Sequence, residues 1–207
     1  MKIVLENIGR RFNQEWIFKS LNYTFEGEQS YAILGANGSG KSTLLQLICG
    51  SLSASEGKIN YQLRDADLDP DTAFRHLALS APYLDLIEDF TLREMIDFHF
   101  QFKNYLPGIQ AEKIIEILDL GKVQQKAIRY FSSGMKQRVK LALAIFSDTP
   151  LLLLDEPTAN FDQQGIDWYQ NLIAQYAQNR LVIVCSNQEN EYRFCRHQIR
   201  LSEYKKF

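Results

Sequence analysis

The run Gly35-Ala36-Asn37-Gly38-Ser39-Gly40-Lys41-Ser42-Thr43 constrains this chain more than any other stretch. It fits the pattern G-x-x-x-x-G-K-[ST]. An apolar strand, Tyr31-Ala32-Ile33-Leu34, leads in, and a helical run from Leu44 to Cys49 leads out and stops at Gly50. The glycines let the backbone curl without Cβ obstruction. Successive N–H groups then converge on one point, and the positive end of the following helix dipole reinforces them. Such a cradle holds phosphate. Lys41 is placed to reach terminal phosphates, and the Ser42 hydroxyl to ligate Mg²⁺. The plainer reading is a Gly-rich turn before a buried helix. The order strand, loop, Lys-Ser, helix argues against it.

The 207 residues suffice for one substantial domain, and 45% hydrophobic residues suit a packed core. A net charge of −2 provides no basic field, so nucleic acid is not an expected partner. Cys49, Cys185 and Cys195 are odd in number and form no C-x-x-C pair, so neither a disulfide framework nor a zinc site is expected. A reducing cytosol fits that usage. Cys49 and Cys185 lie in apolar runs and are expected to pack as small hydrophobes. The start, Met1 to Asn7, alternates like a strand and lacks the features of a signal peptide. No apolar run approaches the roughly 18 residues of a membrane span. Action at a membrane therefore requires a partner that spans it.

Strand-like runs occur at 3–5, 31–34, 77–79, 151–154, 181–185 and 198–201. Near-continuous apolar runs such as Leu151 to Leu154 and Leu181 to Val184 suit a parallel sheet covered on both faces. The stretch from Pro82 to Tyr130 reads as helical. Thr91-Leu92-Arg93-Glu94 forms a capping box opening a helix to about Lys103. A second helix is expected from Ala111 to Leu120, ahead of Gly121. Phe98, Phe100, Phe102 and Tyr105 are expected to pack within this helical part, with an exposed subset free to meet a partner.

The run Leu151-Leu152-Leu153-Leu154-Asp155-Glu156-Pro157-Thr158 is a buried strand with two acids at its C-terminal end. Open α/β sheets bind ligands at that end. Asp155 can hold Mg²⁺ through its water shell. Glu156 faces elsewhere and can polarise an attacking water.

These residues, together with Phe131-Ser132-Ser133-Gly134-Met135-Lys136-Gln137-Arg138, resemble the ATP-binding cassette (ABC) ATPases. The latter segment is similar to their signature motif, Leu-Ser-Gly-Gly-Gln, and opens a helix, 135–146, leading to the acidic strand. Ala159-Asn160-Phe161-Asp162 resembles their D-loop. The resemblance covers essentially the whole chain. It implies an α/β fold with a phosphate-loop core, a mostly parallel sheet, and an antiparallel flank from the N-terminal strands and the 58–61 region. It also implies one domain over 1–207, with the core at 1–81 and 134–207 and a helical insert at 82–133.

By that resemblance the ligands are ATP and Mg²⁺. Gly35 to Thr43 (Gly35, Ala36, Asn37, Gly38, Ser39, Gly40, Lys41, Ser42, Thr43) cradle phosphate, and Ser42 and Asp155 hold the metal. Glu156 is the base. Ser132, Ser133 and Gly134 contact the γ-phosphate bound by a second subunit. Phe12 either stacks on adenine or packs on the sheet edge. One copy of each motif implies a homodimer or a paired ABC subunit. A separately encoded transmembrane permease would be the further partner, with the chain peripheral on the inner face of the cell membrane.

Two positions depart from the family pattern. The insert usually opens with a glutamine, where Ser80 or Ala81 stands here, and no glutamine lies between Gln62 and Gln101. The switch histidine is replaced by Asn187, whose amide can donate a hydrogen bond but cannot shuttle a proton. ATP and Mg²⁺ binding with slow hydrolysis is the expectation. Three functions stay open: a transporter subunit that docks its partner beside the helical insert, a non-transport ABC ATPase, or an ATP sensor without turnover.

Overall fold

The computed structural model describes residues 1–204. The chain opens with two long strands, β1 (Lys2–Phe12) and β2 (Glu15–Phe25), then β3 (Ser30–Leu34) and α1 (Lys41–Ile48). β4 (Glu56–Leu63), β5 (Ala66–Leu68), a 3₁₀ turn (Pro70–His76) and β6 (Leu77–Ser80) follow. Next come α2 (Leu92–His99), α3 (Ala111–Leu118) and α4 (Ser133–Ile145). β7 (Leu151–Asp155), α5 (Gln163–Tyr176), β8 (Leu181–Cys185), α6 (Glu189–Tyr192) and β9 (His197–Arg200) complete the order. The parallel sheet runs β6-β7-β8-β3-β9 and the antiparallel sheet β2-β1-β4-β5. This is the expected parallel core with its antiparallel flank.

Alternation on β7 and β8 sorts the core into two layers. Leu151, Leu153, Leu181 and Ile183 pack with Leu44, Leu45 and Ile48 of α1 and with the antiparallel sheet. Leu152, Leu154, Val182 and Val184 pack with α4, α5 and the helices between β6 and α4. Both faces are covered, which is why these strands are apolar at every position. Cys49 and Cys185 are buried and free, as expected.

β2 escaped the strand reading because of its spacing. Its buried residues Phe18, Leu21 and Phe25 are three and four apart, a helical interval. An irregularity in its pairing with β1, with Ser20 at φ 56°, resets the alternation.

α2 opens with the expected capping box. The Thr91 hydroxyl accepts from Glu94 N at 3.3 Å, and Glu94 accepts from Thr91 N at 2.8 Å. The helix ends at His99 rather than Lys103. Phe100 leaves the helix to stack on Tyr105 at 3.7 Å, and Lys103 Nζ donates to the carbonyls of Phe74 and Leu77, both at 2.8 Å. α3 likewise ends early, at Leu118, because Asp119 adopts the left-handed conformation at φ 54°. Phe98 and Phe102 meet edge-on at 5.3 Å, and Phe102 stays 72% exposed.

His99 joins α2 to α4. The Ser147 hydroxyl spends its hydrogen on the Leu143 carbonyl at 2.7 Å, so it accepts from His99 Nε2 at 2.9 Å. Burial, and then the Lys103 ammonium, push the His99 pKa down to about 4. In the unfolded chain the ring titrates at about 6.5. Between those values the unfolded state binds a proton that the folded state refuses. The contribution is therefore whole above pH ~6.5 and declines as pH falls toward about 4. Urea midpoints measured from pH 7 to pH 5 will fall in the parent and fall less in His99→Gln.

Candidate functional site

Strand register assembles the site. Cys185 of β8 pairs with Asp155 of β7 on one side and with Ile33 of β3 on the other. The three strands thus finish level, and the segments that leave them, Gly35–Gly40, Glu156–Thr158 and Ser186–Gln188, share one edge of the sheet. β6 joins this edge through Ser80, paired with Leu154.

The glycine-rich loop has the geometry its sequence requires. Gly38 and Gly40 adopt φ 73° and 103°. A Cβ on Gly40 would lie 2.4 Å from Ile17 Cγ2. Ala36, Asn37 and Gly38 are exposed, whereas Lys41 is 5% exposed. Lys41 Nζ donates to the carbonyls of Gly35 at 2.8 Å and Ala36 at 3.3 Å, so the ammonium lies under its own loop. Ser39 is buried and its hydroxyl has no partner.

Asp155 is 1% exposed, and neither carboxylate oxygen has a hydrogen-bond partner. Burial raises its pKa. The Ser42 hydroxyl opposes this, the Glu156 charge adds to it, and Lys41 opposes it. An orphaned carboxylate next to a serine hydroxyl is a donor set that suits a hard cation. Among the described residues no group of three or more His, Cys, Asp or Glu could hold a metal. Ser80 is also buried with its hydroxyl unpartnered, whereas Ala81 is fully buried with no polar side chain to offer.

Glu156 sits at φ 43°, a left-handed conformation for a residue with a side chain. Its N–H donates to the Cys185 carbonyl at 2.9 Å, extending the β7–β8 ladder by one bond. Gln137 of α4, itself buried, donates to the Pro157 carbonyl at 2.9 Å and pins the turn. Asn187 is exposed at the end of β8 and donates from Nδ2 to Asn37 Oδ1 at 2.9 Å. The replacement for the switch histidine therefore touches the glycine-rich loop. His197 stacks on Tyr31 in β9, away from that place.

Ser132 caps α4, accepting from Met135 N at 3.2 Å. Ser132, Ser133 and Gly134 line an open depression of about 340 Å³ with Arg138 and Asn160 to Asp162. No residue of the glycine-rich loop lines it. Phe12 is 46% exposed at the end of β1, with the Arg10 guanidinium 4.4 Å from its ring centroid.

The family model described as "ABC transporter" matches residues 18–159. This chain belongs to the ABC transporter family. It is 26% identical over 186 residues to the uncharacterized ABC transporter ATP-binding protein YybJ of Bacillus subtilis, covering 89% of this chain and 84% of that protein. It is 29% identical over 190 residues to the cytochrome c biogenesis ATP-binding export protein CcmA of Brucella abortus, covering 90% of this chain and 85% of that one. Its fold matches the dimeric post-hydrolysis state of the ATP-binding cassette MJ0796, bound to ADP and Pi, with a TM-score of 0.79. That match has 22% identity and covers 96% of this chain and 93% of the other.

Four residues of this ABC cassette were not singled out from its sequence: Tyr83, Gln137, Ser186 and Glu191. Tyr83 is 42% exposed, yet partial desolvation of its phenol, and then the Asp155 charge, raise its pKa. Ser186 and Glu191 are fully buried behind Asn187. Gln137 and Glu191 act through Pro157 and Thr158, partners distant in sequence, which no local pattern signals.

Gly40 gives a direct test of the loop. A left-handed conformation costs a residue with a Cβ about 1–2 kcal/mol, before the clash with Ile17 is counted. Gly40→Ala will weaken binding of a fluorescent ATP analogue by about tenfold or more, read by titration of a variant whose circular dichroism is unchanged.

Proposed function

We propose that this chain is the ATP-binding and ATP-hydrolysing subunit that powers a separate membrane-spanning transporter protein through ATP-driven closure of a dimer. One observation carries the reading. The glycine-rich loop, Asp155 and Glu156 share one edge of the sheet, while Ser132–Gly134 line a depression that contains none of that loop. Each half of the site is then completed by a second copy or a paired ABC subunit. The names of YybJ, CcmA and MJ0796 as ATP-binding proteins, and the dimeric state of the last, support it.

In this reading the loop amides and Lys41 neutralise the triphosphate. Lys41 reaches it by releasing the Gly35 and Ala36 carbonyls. Ser42 and Asp155 would hold Mg²⁺, which would supply neutralisation of the triphosphate charge. Glu156 accepts the proton of the attacking water. Asn187 moves from Asn37 to a γ-phosphate oxygen. The open face of Phe12 stacks on adenine. The signature serines and Gly134 of the opposing copy close the cage.

The core comprises 1–81 and 134–207, and the insert 82–133. The membrane partner docks in an apolar groove of about 350 Å³ beside that insert, lined by Phe74, Leu79, Leu84 and Met95. No helix among the described residues is long and apolar enough to cross a membrane. The chain then works at the inner face of the cell membrane as a peripheral subunit.

A second reading, an ATP sensor without turnover, is favoured by Ala81, which is buried and offers no polar group to water or metal. Phosphate release from Mg-ATP separates the two. Under the first reading turnover is slow and Glu156→Gln abolishes it while an ATP-held dimer accumulates on gel filtration. Lys41→Ala abolishes nucleotide affinity. Release that is absent from the parent, or that survives Glu156→Gln, removes the hydrolysis assignment. Asn187→His is expected to raise kcat by about tenfold, since an imidazole can hold charge and move a proton.

A further inference from the structure

Glu191 is fully buried in α6, and among the described residues no ion pair reaches it. An uncompensated buried carboxylate is costly and is a poor device for stability alone. Its acceptors are nevertheless used. Oε1 accepts from the Thr158 N–H at 2.7 Å and from the Thr158 hydroxyl at 2.6 Å. Oε2 accepts from the Ser186 hydroxyl. Ser186 Oγ in turn accepts from Gln188 N at 2.8 Å. The Glu191 backbone is fixed as well, its carbonyl accepting from the Tyr169 hydroxyl at 2.9 Å.

The two donors sit at functional places. Thr158 is two residues past Glu156, in the turn whose strained φ aims that side chain. Ser186 and Gln188 flank Asn187, so both neighbours of the switch amide are held by one buried hydroxyl. A continuous path runs from the Glu156 turn through Thr158, Glu191 and Ser186 to Asn187, and from its amide to Asn37 of the glycine-rich loop. We propose that Glu191 is a positioning residue that ties the turn carrying Glu156 to the loop carrying Asn187, so that the two side chains facing the γ-phosphate move as one unit. The roles of Glu156 and Asn187 are those of the function proposed above, on which this inference rests. Hydrogen bonds to a carboxylate are roughly twice as strong as neutral ones, so the link is stiff enough to transmit a displacement.

The test acts on the link at its two ends and leaves the carboxylate in place. Ser186→Ala removes the donor to Oε2 and cuts the link there. Thr158→Val removes the hydroxyl donor to Oε1 at constant volume and weakens the other end, where the Thr158 N–H bond remains. Each is expected to lower kcat by about tenfold with KM changed less than about twofold, because misplacement costs rate rather than binding. The double variant is expected to lose no more than Ser186→Ala alone, since that cut already breaks the link. A double loss equal to the product of the two single losses overturns the proposal, as does a rise in KM at unchanged kcat.

A second readout does not depend on turnover. In the nucleotide-free protein, Thr158→Val is expected to shift the side-chain amide ¹⁵N–¹H resonances of Asn187. An unmoved Asn187 signal refutes the coupling even where the enzyme hydrolyses ATP. Conversely, a parent without Glu156-dependent hydrolysis sinks the proposed activity, and the resonance then decides this inference by itself. Glu191→Gln is expected to reproduce the Thr158→Val shift if that variant folds, and the two hydroxyl deletions decide the matter if it does not.

Discussion

Cys185 pairs with Asp155 on one flank and Ile33 on the other, and those two rungs of the parallel ladder fix where chemistry can happen. Side chains on a strand alternate, so a slip of one residue would turn Asp155 to the opposite face and strand the glycine-rich loop a step away from the acids. The register is held by burial on both sides. Leu151 and Leu153 belong to one layer, Leu152 and Leu154 to the other, and none can change places without exposing the layer it leaves. The apolar runs that look featureless in the sequence are thus the ruler that sets the site.

Most groups that would meet a nucleotide are already engaged. Lys41 bonds two carbonyls of its own loop, Asn187 bonds Asn37, and Arg10 covers one face of Phe12. A polyanion must compete for Lys41 and Asn187 with these existing bonds. Asp155 differs. Its two oxygens are buried and without partners, and its raised pKa records the cost of that isolation. A site that keeps a dry carboxylate gives up stability for a function. The unpartnered hydroxyls of Ser39 and Ser80 mark the same region.

Much of this was legible in the sequence because the relevant signals are local. The glycine-rich loop, the acidic strand and the Thr91 capping box each complete their pattern within a few residues, and the structure has all three. Element ends were less legible. α2 stops at His99 because Phe100 and Lys103 find partners in Tyr105 and in the Phe74 and Leu77 carbonyls, which no helical periodicity announces. β2 hid behind spacings of three and four that a strand irregularity produced. The supports of the site were least legible. Gln137 reaches Pro157 and Glu191 reaches Thr158 across long sequence separations, and nothing in their neighbours marks them.

Those supports bear on the two missing family residues. Glu156 adopts a left-handed backbone that a residue with a side chain resists by about 1–2 kcal/mol. Such a conformation persists only where its surroundings over-determine it. Here Gln137 holds the following carbonyl, Glu191 holds the N–H after that, and Cys185 accepts from Glu156 itself. The placement of the Glu156 turn therefore does not depend on a glutamine at the start of the insert. What that glutamine would have added is contact with water and metal, and Ala81 cannot supply it. Tyr83, whose pKa registers Asp155, lies nearest in sequence to doing so, through a phenol that stays protonated at neutral pH. With a neutral amide in place of the histidine, the carboxylates at the edge where the three strands end are those of Asp155 and Glu156, side by side in one turn. The chemistry of the site, slow or fast, then rests on how firmly that one turn is held.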